Sequence, residues 1–208
     1  MASFKRVFMR FFTKDQEGRY SVLTLEWWRT LFVVFCVFCW VGHWLEIPYC
    51  LFMSQFGIVA PDYAVWVEPI YTPYWVYGIG AVAMTLVIEP FREDVIAKRR
   101  TTRGAVLETF AYTVAVAAVL ETVIGLIINQ PDAAGEYPYW DNSQLPLNIL
   151  GQGWLVNDLV IGVMAILYLW VFYPAIDAWL RSLRPWVANT VCVTLVALIV
   201  VAALFAYL

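Results

Sequence analysis

Charge is scarce in this chain. Of 208 residues, 14% are Asp, Glu, Lys or Arg and 62% are hydrophobic, whereas a soluble domain carries about 25% charge. With a mean hydropathy of +0.71, that shortage excludes a water-soluble globular domain, and the apolar excess has to face lipid. Positive charge is scarcer than negative, with 13 Lys and Arg against 16 Asp and Glu for a net charge of −3. The basic face that nucleic acid demands is missing, so no nucleic-acid partner is expected. Histidine is nearly absent, and His43 stands alone. A carboxylate-bridged metal pair in a helical bundle wants a Glu-x-x-His on each of two helices, so no metal and no cofactor are expected. The phosphate-binding G-x-x-x-x-G-K-[ST] loop is also missing, which leaves ATP hydrolysis to some other chain. The four cysteines (Cys36, Cys39, Cys50, Cys192) lie in or beside apolar runs. Even the Cys36-x-x-Cys39 pair lacks the polar support of a zinc site, and all four read as packing residues.

What is present in abundance is long apolar stretches. A helix crosses a bilayer with about 20 mostly apolar residues, and five windows are expected to do so: 30–51, 73–88, 105–128, 154–173 and 186–208. The second is short, and an upstream start near Ala64 would lengthen it. None of the windows shows the alternation of a transmembrane barrel strand. Every Lys and Arg falls in one of three segments, namely before the first span, between the second and third, and between the fourth and fifth. The segments 52–72 and 129–153 hold only acids, among them Asp62, Glu68, Asp132, Glu136 and Asp141. By the positive-inside rule this predicts a cytoplasmic N-terminus and an outer C-terminus in the plasma (inner) membrane. The expected fold is all-α, a polytopic bundle of five transmembrane helices over 30–208 with a structured outer loop between the third and fourth. Residues 1–29 form a separate cytoplasmic segment. There, Phe4, Val7, Phe8, Phe11 and Phe12 recur at helical spacing among Lys5, Arg6, Arg10 and Lys14, as in an amphipathic helix lying on anionic lipid.

Ionisable side chains inside spans are costly and mark function by default. At 1.5 Å rise per residue, Glu46 is expected about 7 Å and His43 about 12 Å below the outer end of the first span, Glu121 about 10 Å and Asp158 about 6 Å below theirs. No Lys or Arg is placed nearby to neutralise them. Like charges held close cannot all ionise, so these acids should hold a proton, accept hydrogen bonds, or pair with a cation the protein does not supply. The functional expectation is one outward-facing polar chamber with Glu46, Glu121 and Asp158 converging, and His43 and Asn157 in its wall. The bland alternative is that Glu46 and Asp158 reach the interface while Glu121 bonds a neighbouring helix. Glu108, near Arg99, Arg100 and Arg103, reads as an interfacial partner of those arginines.

The segment 137–152 mixes aromatics, turn formers and amides, and loops so endowed are more often sites than spacers. Interface anchoring accounts for Trp140 and the tyrosines. Asp141, Asn148, Gly151 and Gln152 suggest a capping or re-entrant segment over the chamber, because non-helical backbone at membrane depth must be buried or line water.

Trp140-Asp-Asn-Ser-Gln-Leu-Pro-Leu-Asn-Ile-Leu-Gly151 resembles the W-D-Y-S-x-x-P-F-N-I-x-G signature of the CmpB-like ABC-transporter type IV family of integral membrane proteins. Gly42-His-Trp-Leu-Glu46 is similar to its early G-W-x-x-E, Glu121 to the Glu that precedes the signature loop, and the stretch from Pro69 to Gly80 to its P-x-x-P-I-Y-G-F-G segment. The resemblance covers roughly residues 30 to 175. Asn142 stands in place of the signature Tyr, Asn129 where a second Glu often occurs, and Gln152 where a basic residue is common. The resemblance implies a permease-like or substrate-capturing membrane component of a transport system. Its expected partners are membrane lipid, a separate cytoplasmic ATPase subunit, and a cation, proton or polar small molecule as ligand. Two other readings stay open: a membrane-embedded enzyme using raised carboxylates on a lipid-soluble substrate, and an accessory subunit packing through small residues such as Ala115, Ala117, Ala118, Ala197, Ala202 and Ala203.

Overall fold

The computed structural model describes residues 24–59, 63–133, 135 and 137–207. The amphipathic helix expected over Phe4 to Phe12 lies outside the described residues. The helices are α1 (Leu25–Ser54), α2 (Ala64–Val67), α3 (Trp75–Lys98), α4 (Thr102–Ile128), α5 (Leu155–Leu167), α6 (Tyr173–Ser182) and α7 (Pro185–Tyr207). A π-helical turn, Tyr168–Phe172, joins α5 to α6 without a break, and a two-residue antiparallel ladder pairs β1 (Asn148–Ile149) with β2 (Gly153–Trp154). Among the described residues, four helices are long and apolar enough to cross a membrane: Leu25–Ser54, Thr102–Ile128, Leu155–Ser182 and Pro185–Ala206. The chain is a multi-pass membrane protein, and exposed side chains such as Val193, Leu204 and Phe205 on α7 face lipid rather than water.

The second window behaves differently from the expectation. Its helix does not extend upstream to Ala64. There, α2 is a single separate turn, and Pro69 and Pro73 follow it, each removing a donor and holding its predecessor out of the helical region. The helix instead continues downstream past Ile88 to Lys98, with Pro90 inside it. Glu89, Arg92, Glu93 and Asp94 interrupt its apolar run there, so α3 is not among the four clear spans.

The chain divides into two compact units. The first holds α1, α2, the start of α3 up to Thr85, α6 and α7. Its core is Cys36, Cys39 and Ile199, with Phe32, Phe35, Trp40, Trp75 and Leu195 packed around them, so the C-x-x-C serves as apolar filling. Close approach of α1 and α3 depends on two glycines. A Cβ on Gly42 would fall 2.1 Å from Tyr77 Cγ, and one on Gly78 would fall 2.6 Å from Cys39 Sγ. Below this crossing, the Thr30 hydroxyl donates to Asp177 at 2.8 Å and Arg181 donates to the other Asp177 oxygen at 2.8 Å.

The second unit spans 86–172 and is organised by the α4–α5 pair. Ala105, Thr109, Thr113 and Ala117 recur every fourth residue as a buried small-residue stripe of α4, the pattern that lets membrane helices approach. At the start of α4, Thr101 accepts from the Gly104 amide, a side-chain cap of one otherwise orphaned donor. Arg99 pairs with Glu108, as the spacing suggested. Arg92 is buried and bonds Glu89 and Glu93 at 2.8 Å each, the carbonyl of Leu169 in the π turn, and the face of Trp170 at 5.3 Å. A Cβ on Gly162 of α5 would stand 2.6 Å from Val114 Cγ2 and 2.8 Å from Phe110 Cε2. Gly162→Val is therefore expected to push α4 and α5 apart and to destabilise the protein by about 1–3 kcal/mol, the usual cost of overpacking, measured as a lower unfolding midpoint in detergent. An unchanged midpoint would show that the pair yields without strain.

Candidate functional site

Each unit carries one acidic cluster built from residues the sequence marks. In the second unit, Glu121 lies one helical turn beyond Ala117, so the small-residue stripe of α4 delivers it against the start of α5. One carboxylate oxygen accepts from the Trp154 amide at 3.1 Å and the other from Asn157 Nδ2 at 2.7 Å. Trp154 is the N-cap of α5, and Glu121 thus satisfies an amide at that helix end while sitting at its positive pole. Asp158, in the first turn of the same helix, lies against Glu121. It is fully buried, at 0% exposure, and the side-chain partner recorded for it is Glu121, itself an acid. From Gly104 to Leu180 the chain contains no Lys or Arg. Among the described residues, no Lys or Arg acts on either acid of the pair.

The loop between α4 and α5 is knotted onto itself. Asn129, fully buried at the C-cap of α4, exchanges two hydrogen bonds with Gln152: Asn129 Nδ2 donates to Gln152 Oε1 at 2.9 Å, and Gln152 Nε2 donates to the Asn129 carbonyl at 3.1 Å. The Trp140 indole and Asn142 Nδ2 both donate to the Gln152 carbonyl. Asn148 Oδ1 accepts from the Gly151 amide while its Nδ2 donates to Leu145, pinning a bend in which Leu147, Leu150 and Gly151 have positive φ. Asp141 accepts from the Ser143 amide and is exposed. A Cβ on Gly125 would meet Gln152 Oε1 at 2.5 Å, and one on Gly153 would meet Thr122 Oγ1 at 2.5 Å, so both glycines let the loop seat on α4.

Of the expected site residues, Trp140, Asp141, Asn148 and Gln152 thus spend their polar groups on the loop itself. Glu121, Asn157 and Asp158 lie together in the second unit, whereas Glu46 belongs to the first. Gln152→Ala would remove one bond from the Asn129 side chain and one from its backbone carbonyl, leaving the Asn129 side chain bonded to Trp140 and Tyr139, at a cost of about 1–3 kcal/mol. The expected result is faster backbone hydrogen exchange over 139–154, with α4 and α5 unchanged. Unaltered exchange in the loop would show that the amide pair does not hold it.

In the first unit, α1 presents Trp40, His43 and Trp44, spaced so that they share one helix face. They bind three successive carbonyls: the Trp44 indole donates to Ile70 at 2.9 Å, the Trp40 indole to Tyr71 at 2.8 Å, and His43 Nδ1 pairs with Thr72 at 2.9 Å. The Tyr74 amide adds a bond to the Cys39 carbonyl. The segment after α2 is thereby laid along α1, and the Tyr74 ring stacks on His43 with centroids 4.0 Å apart and planes 6° apart. Glu46, one turn on, accepts from Tyr77 at 2.7 Å and Tyr63 at 3.2 Å. Burial, then the charge of Glu46, pushes the Tyr63 phenol well above its ordinary range, so it remains a donor at neutral pH. Tyr74 is pushed up likewise by burial and by Glu68 beside it. His43 Nε2 and Thr72 Oγ1 are buried without a partner.

Glu68, Tyr63 and Tyr77 escape a search for charge at membrane depth, since one is an ordinary loop acid and the others are phenols. Their signal was the proline-bracketed 69–73 stretch ahead of the Gly78-x-Gly80 pair. Asp177 and Arg92 were missed because each helix extends beyond its apolar window, and the partner of Asp177 is 147 residues away in sequence. Among the described residues, no group of three or more His, Cys, Asp or Glu could hold a metal ion.

Comparison with curated proteins and with solved structures finds no match. Residues 33–207 match a family model of the CmpB type, described as "Putative ABC-transporter type IV". That match runs from within α1 to the end of α7 and takes in both acidic clusters and the knotted loop, and the chain belongs to this family of ABC-transporter-type membrane components.

Proposed function

We propose that this chain is the membrane-embedded, substrate-capturing component of a transport system. Its Glu121–Asp158 pair takes up a proton or a cation as ligand or coupling ion, and a separate cytoplasmic subunit supplies ATP hydrolysis. The observation that carries the reading is Asp158, fully buried against a second acid, Glu121, with which it can share a side-chain hydrogen bond only if one of the two holds a proton. An ionised carboxylate so placed costs several kcal/mol unless something positive accompanies it. Among the described residues no Lys or Arg acts on either acid, so a proton or a cation is what would balance the pair. The family membership supports transport as the setting.

The full threading belongs to the same proposal. α3 makes the fifth crossing, the N-terminus is cytoplasmic, and the C-terminus lies outside the plasma membrane. The segregation of all thirteen Lys and Arg supports this through the positive-inside rule. Asp158→Asn and Glu121→Gln each remove a charge with little change in volume. Both are expected to fold in detergent and to lower the transport rate in reconstituted vesicles by about tenfold or more, equivalent to about 1.4 kcal/mol. Wild-type transport in both variants would refute the site. For the threading, single cysteines replacing Asp132 and Arg100 are to be treated with an impermeant thiol reagent in intact cells. Labelling is expected at 132 and not at 100, and the reverse pattern would overturn the orientation.

A further inference from the structure

Positive charge gathers at one point of the second unit. α3 ends at Lys98 and α4 begins at Thr102, and Lys98, Arg99, Arg100 and Arg103 make this connection basic, all four side chains being exposed. Arg99 is paired with Glu108. Among the described residues, no ion pair engages Lys98, Arg100 or Arg103. So short a turn keeps these charges close to the membrane. α4 has 27 residues, about 40 Å of helix. A bilayer has a hydrocarbon core of about 30 Å and measures about 40–45 Å with its headgroups, so a crossing α4 sets its first turn at headgroup depth. Beneath that turn, Arg103, Leu107, Ala111 and Ala115 recur every fourth residue and are all exposed, Leu107 to 68%. They lie on the face of α4 opposite the buried Ala105–Ala117 stripe, since a step of two residues turns a helix by about 200°.

We propose that the α3–α4 turn is a docking surface for anionic phospholipid, with headgroup phosphates drawn to Lys98, Arg100 and Arg103 and an acyl chain lying along Leu107, Ala111 and Ala115. Charge complementarity selects the headgroup, because a basic cluster at the end of a spanning helix is attracted to anionic lipid residue by residue. The face beneath selects lipid over an acidic protein. A protein partner could cover the charges above the bilayer, but it would leave the exposed apolar face under them untouched. Arg103 and Leu107 stand one turn apart on that face and offer a charge and an apolar contact to one molecule. From Arg103 to Ala115 is about 18 Å of helix, enough to follow a chain through one leaflet of about 15 Å, half of the hydrocarbon core. A zwitterionic phospholipid has the same chains, but its own ammonium offsets the phosphate, so it is the weaker ligand. The inference needs neither the Glu121–Asp158 pair nor transport, and it stands or falls apart from them.

The test uses the full chain purified in detergent and mixed with equimolar phosphatidylglycerol and phosphatidylcholine of identical acyl chains, the bound lipids being counted by mass spectrometry of the intact complexes. The wild-type chain is expected to retain phosphatidylglycerol preferentially. Arg100→Gln and Arg103→Gln, both at exposed positions and so compatible with folding, should each cut that preference about fivefold, and the double variant more. Glu108→Gln, which frees Arg99, should raise it. Arg184→Gln removes an exposed charge from another connection and is expected to leave most of the preference in place. The basic residues ahead of the first span are the same in every variant, so their contribution cancels. Exchanging chloride for inorganic phosphate at equal ionic strength is expected to change nothing, whereas loss of the preference there would assign the cluster to free phosphate and overturn the lipid. Equal retention of the two lipids by the wild-type chain would also overturn the proposal, as would a loss in Arg184→Gln as large as in Arg100→Gln. Wild-type preference in the double variant would overturn it too and leave the cluster to an acidic protein partner.

Discussion

Hydrocarbon cannot solvate a carboxylate, and the acids carried on the helices of this chain are placed around that constraint. Each must find donors within the protein or bring a proton or cation with it. The chain meets the requirement in three ways. Where a basic residue lies a turn away, it is used: Glu89 and Asp177 are met by Arg92 and Arg181 from their own helices, and Asp177 also by Thr30 from another. Where basic residues are missing, hydroxyls and amides take over: two tyrosines for Glu46, a backbone amide and an asparagine for Glu121. Asp158 has neither.

Those donors can reach the acids only because the helices come close, and closeness is a matter of missing side chains. Gly42 and Gly78 let Tyr77 lie against α1, where its hydroxyl meets Glu46 a turn later. Gly162 lets α5 lie against Phe110 and Val114 of α4, and further along the same helix Glu121 reaches the amide of Trp154. In lipid there is no hydrophobic force to drive helices together, so these contacts and the polar bonds beyond them carry the association. Packing and site are therefore one problem: a methyl group in the wrong place costs the hydrogen bonds as well as the van der Waals contact.

Much of this was legible in the residues. Charge scarcity and long apolar windows gave the membrane class and four of the helices, because lipid imposes both directly. The acids at 46, 121 and 158 were visible for the same reason, and Glu121, Asn157 and Asp158 do meet. What remained hidden was how far a helix continues past its apolar window. Arg92 looked like loop charge, yet α3 carries it inward to Leu169 and Trp170. The upstream extension of the second window failed at Pro69 and Pro73, whose backbone restriction outweighed the apolar residues around Ala64. The loop residues Trp140, Asn148 and Gln152 looked like ligand contacts because their side chains are polar and specific. Only the coordinates show that the specificity is for one another, since hydrogen bonds between residues ten or more apart leave no periodic trace.

Asp158 is the place where magnitudes decide. Its position in the first turn of α5 puts it in the favourable field of the helix N-terminus, worth about 0.3–1 kcal/mol and up to about 2 in partly buried geometry. The penalty for a buried, unaccompanied ion is several kcal/mol, and the Glu121 charge beside it adds repulsion. The dipole alone therefore cannot support two ionised carboxylates in a protein whose whole stability is of order 5–15 kcal/mol. One proton held between the pair removes the repulsion and turns one carboxyl into a donor for the other, and a bound cation would offset both charges at once. Either way the folded state of α4 and α5 is linked to the occupancy of that pair. Glu121 holds the Trp154 amide at the start of α5, so the state of the pair bears on that helix end, and this follows from where the chain omits positive charge rather than from any residue it adds.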